Sequence, residues 1–141
     1  MKYIFTFCAV LLLVVNTFAQ TKPWKKDQVL PTAELAAKLN SGSKTIPMVI
    51  NVGPVENIKT AIKTGPANTL AGIEKLKSAV ANVDKKKDIV IYCGCCSFEN
   101  CGNVIPAFEE LTEMGFKNVK VLELTEGFRP DWVAKNYPVE E

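Results

Sequence analysis

Hydrophobic residues recur along the chain with two spacings, and the two spacings predict strands and helices in alternation. Short runs rich in β-branched residues predict buried strands at residues 46–52, 88–93 and 118–124. Apolar residues three or four positions apart predict amphipathic helices at residues 32–42, 69–83 and 103–115 and a short one at 131–135. Residues 53–67 fit either a helical turn or an extended segment. This order predicts an α/β domain with a central, mostly parallel sheet flanked by helices.

The first residues have the pattern of a signal peptide. Lys2 precedes an apolar run at residues 3–15, and small residues, Thr17 and Ala19, follow it. We therefore expect residues 1–19 to be removed, so that a protein exported by a bacterium, periplasmic or secreted, begins at Gln20. The run is short for a membrane span, which disfavours the alternative of an uncleaved anchor and predicts no membrane association after cleavage.

Composition excludes several function classes and favours one folded domain. The chain carries 17 basic and 15 acidic residues, a net charge of +2, which argues against nucleic-acid binding. It contains no histidine, which excludes Ser-His-Asp and Cys-His pairs and His-ligated metals. We expect a polar strap at residues 20–29, with Trp24 packed on the domain, and a single domain at residues 30–141.

Four cysteines lie close together between a predicted strand and a predicted helix: Cys93, Cys95, Cys96 and Cys101. Because they close no long loop, they indicate a reactive site and not a disulfide framework. A loop that leads into a helix N-terminus directs N–H groups at an anion and lowers the pKa of a thiol there. Cys93 ends the strand, so its position is fixed by the sheet, and we expect its thiolate to be the most stabilised.

The residues between Cys93 and the following helix form what we call the active-site loop, and several of them have expected roles in packing, capping and charge. Phe98 is expected to form an exposed apolar rim over Cys93, and Asn103 to cap the following helix. No Lys or Arg lies between Lys87 and Lys117, so an anionic substrate would depend on backbone N–H groups and on Arg129, against the charge of Glu99. The loop comprises Gly94, Cys95, Cys96, Ser97, Phe98, Glu99, Asn100, Cys101 and Gly102.

The strand at residues 89–93 and the segment 113–122, with its Gly-Phe-Lys-Asn-Val run, resemble a rhodanese-like domain of the sulfurtransferase family. Residues 48–52 and 61–67 and the chain end at 127–139 extend the resemblance. It implies that Cys93 accepts a sulfane sulfur as a persulfide. The partners would be a small sulfur donor and a thiol acceptor, with no cofactor. Asn51 and Gly53 stand where the family usually has Asp and Arg.

Three other functions stay open at this point. Cys93 and Cys96 have the CxxC spacing of a redox disulfide. Cys96 and Cys101 could instead form a structural disulfide, and Cys96 or Cys101 could resolve a persulfide on Cys93. A catalytically silent rhodanese-like domain would bind a partner only. A four-cysteine metal module is the third alternative, but the crowding of the four thiols leads us to expect no bound zinc or iron.

Overall fold

A computed structural model describes residues 22–141; the predicted leader, with Cys8, and Gln20 lie outside the described residues. The described chain forms one five-stranded sheet flanked by four α-helices. The strands are β1 (Val29–Leu30), β2 (Met48–Asn51), β3 (Ile62–Lys63), β4 (Asp88–Tyr92) and β5 (Asn118–Leu122). The helices are α1 (Thr32–Asn40), α2 (Leu70–Val80), α3 (Val104–Glu113) and α4 (Phe128–Asp131).

All strand pairs of the sheet are parallel, in the order β1-β5-β4-β2-β3. β4 lies at the centre, where Ile91 pairs with Ile50 of β2 on one side and with Val121 of β5 on the other. Its residues 89–92 are buried, as expected of a strand covered on both faces. The carboxyl ends of β2, β4 and β5 therefore meet at one edge of the sheet, where ligands bind in folds of this kind.

Helices cover both faces of the sheet. α2 and α3 bury Leu76 and Leu111 on one face, in a core that includes Ile91 and Trp24. α1 and α4 cover the other face, where Leu35 and Phe128 pack with Tyr92 and Trp132. Among residues 22–141, no helix is both long enough and apolar enough to cross a membrane.

The predicted α/β architecture is confirmed, and three local details are settled or corrected. Residues 53–67 contain no α-helix; they form bends and turns around the short strand β3, which pairs with β2. Leu70, placed by its spacing on the buried stripe of α2, is 86% exposed because it is the first residue of the helix and lies beyond the core. Trp24 is buried against Phe108, with ring centroids 5.7 Å apart, so the strap does pack on the domain.

Candidate active site

Cys93 directly follows β4 and lies opposite Gly53, which follows β2 by two residues. A Cβ added at Gly53 would lie 2.5 Å from Cys93 Sγ and 2.6 Å from the Cys93 carbonyl oxygen. Only the absence of a side chain at residue 53 therefore allows the two strand ends to approach so closely. The neighbouring Asn51 side chain holds this segment, since its Oδ1 accepts the Gly53 N–H at 3.0 Å.

Three thiols converge at this edge of the sheet. The Sγ atoms of Cys93, Cys95 and Cys101 all lie within 4.8 Å of one another, and those of Cys93 and Cys95 are 3.0 Å apart. Cys93 and Cys101 are buried, whereas Cys95 is exposed. Cys96, also exposed, lies 3.4 Å from Cys95 Sγ and interacts with Cys101, but it is not part of the mutually close group of three. All four thiols are free, so the structure contains neither a Cys93–Cys96 nor a Cys96–Cys101 disulfide.

The anionic thiol of the cluster is Cys101. A hydrogen bond from the Cys93 thiol lowers the pKa of Cys101 to about 5, and the backbone N–H groups of Asn103 and Val104 at the start of α3 add to this effect. The pKa of Cys93 is raised, first because its S–H donates a hydrogen bond to Cys101 and second because it is buried. The expectation that Cys93 has the most stabilised thiolate is therefore wrong. Cys101, not Cys93, is adjacent to the N–H groups of the helix N-terminus.

Asn103 occupies the N-cap position of α3, but its side chain makes no capping hydrogen bond. Instead its Nδ2 donates to Cys93 Sγ at 3.3 Å, and its Oδ1 accepts the backbone N–H of Asn68 at 3.1 Å. Asn103 thus links the cysteine loop to the segment that precedes α2. Its expected role as a cap is corrected to a role as a direct neighbour of the thiol at the end of β4.

Phe98 does not form an exposed rim. It is 7% exposed, its ring lies 6.2 Å from that of Trp24, and its backbone N–H donates to the Leu124 carbonyl at 2.9 Å. The loop therefore turns its apolar tip inward, because the strap supplies Trp24 as a partner. A short 3₁₀ turn at Phe98–Asn100 then brings the chain back to the buried Cys101.

The strap also supplies a cation that the loop lacks. Lys22 forms an ion pair with Glu99, so the loop carboxylate expected to repel an anionic substrate is matched by a charge from elsewhere in the sequence. Both side chains are largely exposed, and we assign the pair little stability.

A cleft of about 350 Å³ lies beside the loop, between residues 54–56 and 126–130. Gly94, the residue after Cys93, forms part of the wall of the cleft. Arg129 also lines the cleft, and its Nη2 lies 3.5 Å from Glu56 Oε1. Gly94 has φ +76°, and a Cβ there would lie 2.6 Å from Cβ of Phe128, so this wall requires glycine. The volume suits a small molecule. Arg129 therefore does lie near the loop, although the cysteine sulfurs do not line the cleft.

Comparison with known proteins gives structural matches only. A scan against protein-family models found no match, and a search of curated proteins found none either. The solution NMR structure of the rhodanese-like domain of the Alr3790 protein from Anabaena sp. matches with a TM-score of 0.57 and 21% identity. The match covers 80% of this chain and 78% of that one. The crystal structure of the Alr3790 protein matches with a TM-score of 0.58 and 20% identity, over 79% of this chain and 90% of that one.

The chain has a rhodanese-like fold.

Within this rhodanese-like fold, the structure brings together three of the thiols singled out in the sequence and leaves other loop residues outside the cluster. Asn100 and Gly102 are exposed, and a Cβ at Gly102 would meet no atom within 4 Å. Sequence reasoning assigned no role at the site to Gly53 or Lys22, and it assigned Asn103 only a role as a helix cap. A signal for Gly53 was present, since a glycine directly after a strand at the ligand edge of a sheet is typical of close backbone approach.

Proposed function

We propose that the protein is a sulfurtransferase that carries a sulfane sulfur as a persulfide on Cys93. The observation that carries the proposal is the pairing of Cys93, fixed at the end of the central strand, with a second buried thiol, Cys101, whose sulfur lies within 4.8 Å and whose pKa is lowered. A nucleophilic cysteine needs a group that takes its proton. Cys101 lies close enough and has the right charge for this role.

The proposed transfer has two steps. In the first, the Cys93 proton passes to the Cys101 thiolate while Cys93 sulfur attacks the outer sulfur of the donor. A new S–S bond forms on Cys93, and the donor's bond to that sulfur breaks with the electron pair on the leaving group. In the second, an acceptor thiolate attacks the outer sulfur of the persulfide, and Cys93 leaves as a thiolate that recovers its proton from Cys101.

Access and charge around Cys93 define the substrates that fit. Cys93 is 1% exposed, so donor and acceptor would approach beside the exposed Cys95. No Lys or Arg contacts the three sulfurs in the hydrogen bonds and ion pairs of residues 22–141, and Arg129 faces the neighbouring cleft. We propose a thiol-bound persulfide, of low charge, as the donor in preference to a doubly charged anion such as thiosulfate.

Transfer of sulfur from a persulfide donor to a thiol acceptor tests this function. We expect Cys93→Ser to abolish turnover, because a serine hydroxyl cannot form the persulfide. Cys101→Ser should lower the rate by about 10²–10⁴-fold, the usual effect of losing a general base. Ser78→Ala, on the exposed face of α2, is the control and should match the wild type. Turnover by Cys93→Ser would contradict the proposal, and no turnover by the wild type would favour a silent binding domain.

The second candidate function is thiol–disulfide exchange, and the 3.0 Å contact between Cys93 and Cys95 favours it. A partner disulfide would oxidise the two thiols to a Cys93–Cys95 bond and be reduced to two thiols itself. Peptide mapping after equilibration with a disulfide buffer decides this case. A dominant Cys93–Cys95 bond supports the exchange function, whereas a mixture of pairings that includes Cys96 contradicts it.

Export to the bacterial periplasm or medium is the third part of the proposal. It rests on the sequence of residues 1–19 alone, with its basic start, apolar run and small residues before Gln20. The compartment matters to the chemistry, because free thiols in an oxidising environment require a reductant or a protected position. Burial of Cys93 and Cys101 provides such protection.

A further inference from the structure

The three converging thiols have a second property that sulfur transfer does not use. We propose that Cys93, Cys95 and Cys101 form a three-thiolate binding site for a soft monovalent metal ion, Cu(I). The inference is independent of the proposed sulfurtransferase function, because it depends on where the sulfurs lie and not on a persulfide.

The spacing of the sulfurs fits one ion at their centre. Metal–thiolate bonds of about 2.3 Å place the sulfurs of a trigonal site about 4 Å apart. The observed separations extend from 3.0 Å, between Cys93 and Cys95, to at most 4.8 Å. Shifts of about 1 Å at the sulfurs would make the three distances equal. The exposed Cys95 can make most of this adjustment, since the buried Cys93 and Cys101 are held in the core.

The donor set selects the kind of ion. All three candidate ligands are sulfur atoms, and thiolates prefer soft ions such as Cu(I). Zinc takes four ligands in structural sites, but Cys96 is exposed and is not among the thiols that lie within 4.8 Å of one another. Three sulfurs without a fourth therefore favour Cu(I), which is consistent with our expectation that the purified protein contains no stoichiometric zinc or iron.

The surroundings of the cluster suit a sulfur-bound ion. Asn103 Nδ2 already donates to Cys93 Sγ at 3.3 Å, and such outer hydrogen bonds orient ligands and offset their charge. Apolar side chains including Val52, Phe98 and Val104 belong to the same core as Cys93 and Cys101, so they limit the access of water. Cys95 is the open side through which an ion would enter. The ion binds three thiolates, so any proton still carried by one of the three sulfurs passes to the solvent, and no electron is transferred.

Competition with a chromophoric Cu(I) chelator under reducing, oxygen-free conditions tests the site. We expect the residue 20–141 protein to take up one Cu(I) per chain, with zinc unable to displace it. Cys95→Ser and Cys101→Ser should each weaken binding by more than about 100-fold, since loss of a ligand exceeds the 10–100-fold effect of losing an outer partner. Cys96→Ser is the matched control and should change the affinity less than threefold. Circular dichroism establishes that each variant is folded.

X-ray absorption spectroscopy of the copper-loaded protein gives the second readout. A first shell of three sulfurs, with no nitrogen or oxygen, is the expected result. Two coordinating sulfurs, together with a large loss of affinity in Cys96→Ser, would place the ion on the exposed Cys95–Cys96 pair and overturn the proposal. An affinity unchanged by Cys101→Ser, or no uptake by the wild type, would also overturn it. None of these results depends on whether the protein transfers sulfur.

Discussion

Gly53→Ala is the substitution that tests most sharply how the fold positions Cys93. The added methyl group would lie 2.5 Å from Cys93 Sγ, 2.6 Å from its carbonyl oxygen and 2.8 Å from its Cα. Two of these three atoms belong to the backbone, so a change of side-chain rotamer at Cys93 cannot relieve the contact. The ends of β2 and β4 must move apart, and Cys93 must move away from Cys101 and Asn103.

The expected change in the free energy of unfolding is the balance of two opposing effects. Inserting a methyl group into a close-packed site destabilises a protein by about 1–3 kcal/mol. Replacing glycine by alanine also stabilises by about 0.4–1 kcal/mol where the backbone allows it, because the unfolded chain loses freedom, and Gly53 does not have a positive φ. We therefore expect Gly53→Ala to lower the free energy of unfolding by about 1–2 kcal/mol.

Urea denaturation of the reduced protein measures this change, and the loop supplies a matched control. A Cβ at Gly102 meets no atom within 4 Å, and its φ is not positive either, so Gly102→Ala should be neutral or slightly stabilising. Persulfide formation should fall at least tenfold in Gly53→Ala and persist in Gly102→Ala. A Gly53→Ala protein as stable as the wild type, with full sulfur acceptance, would refute the close approach of the two strand ends.

Four further predictions follow from the site and the sequence. The ultraviolet thiolate absorbance of the reduced protein should titrate near pH 5, and this step should be absent in Cys101→Ser. Because the pKa of Cys101 in the folded protein lies below its ordinary value of 9.0, the contribution of Cys101 to the free energy of unfolding should increase between pH 5 and pH 9 and be lost as the pH falls below 5. Asn103→Leu should lower the free energy of unfolding by about 0.5–1.5 kcal/mol in urea titrations, since the hydrogen bond to the Asn68 N–H is lost and water replaces the acceptor. Edman sequencing of protein from a secretion host should start at Gln20, and a retained Met1 would contradict export. Elemental analysis of protein purified under reducing conditions should give well below one zinc or iron per chain.

The sequence was sufficient to predict the architecture because the three central strands and the three long helices have clear local signals, whereas the two-residue edge strands β1 and β3 do not. The apolar residues 89–92 predict a central parallel strand, and the Thr69 side chain caps α2 by accepting the Gly72 N–H at 3.0 Å. Local spacing was insufficient where tertiary contacts decide the outcome. Leu70 fits the apolar stripe of α2 but is 86% exposed at the first residue of the helix, and the buried Phe98 packs against Trp24, which comes from the distant N-terminal strap.

The chemistry of the site could be predicted only in part, for a similar reason. The cysteine cluster is evident from spacing, but the pKa of Cys101 is lowered by tertiary contacts, first the hydrogen bond from the Cys93 thiol and then the N–H groups of Asn103 and Val104. These contacts form only after the loop has folded back over a 3₁₀ turn. The side chain of Asn103 turns from its own helix toward Cys93, and the sequence offers no signal for that rotation.

Locating the transferred sulfur atom within the cysteine loop tests whether Cys93 is the residue that accepts it. Residues 88–117 contain all four cysteines and no internal Lys or Arg, so trypsin releases them as one peptide. After incubation with a persulfide donor and rapid alkylation, fragmentation of this peptide assigns the added sulfur atom to one cysteine. We expect a single added sulfur, on Cys93, that is lost on treatment with a thiol. An added sulfur on Cys95, Cys96 or Cys101, with Cys93 unmodified, would contradict the proposed role of Cys93.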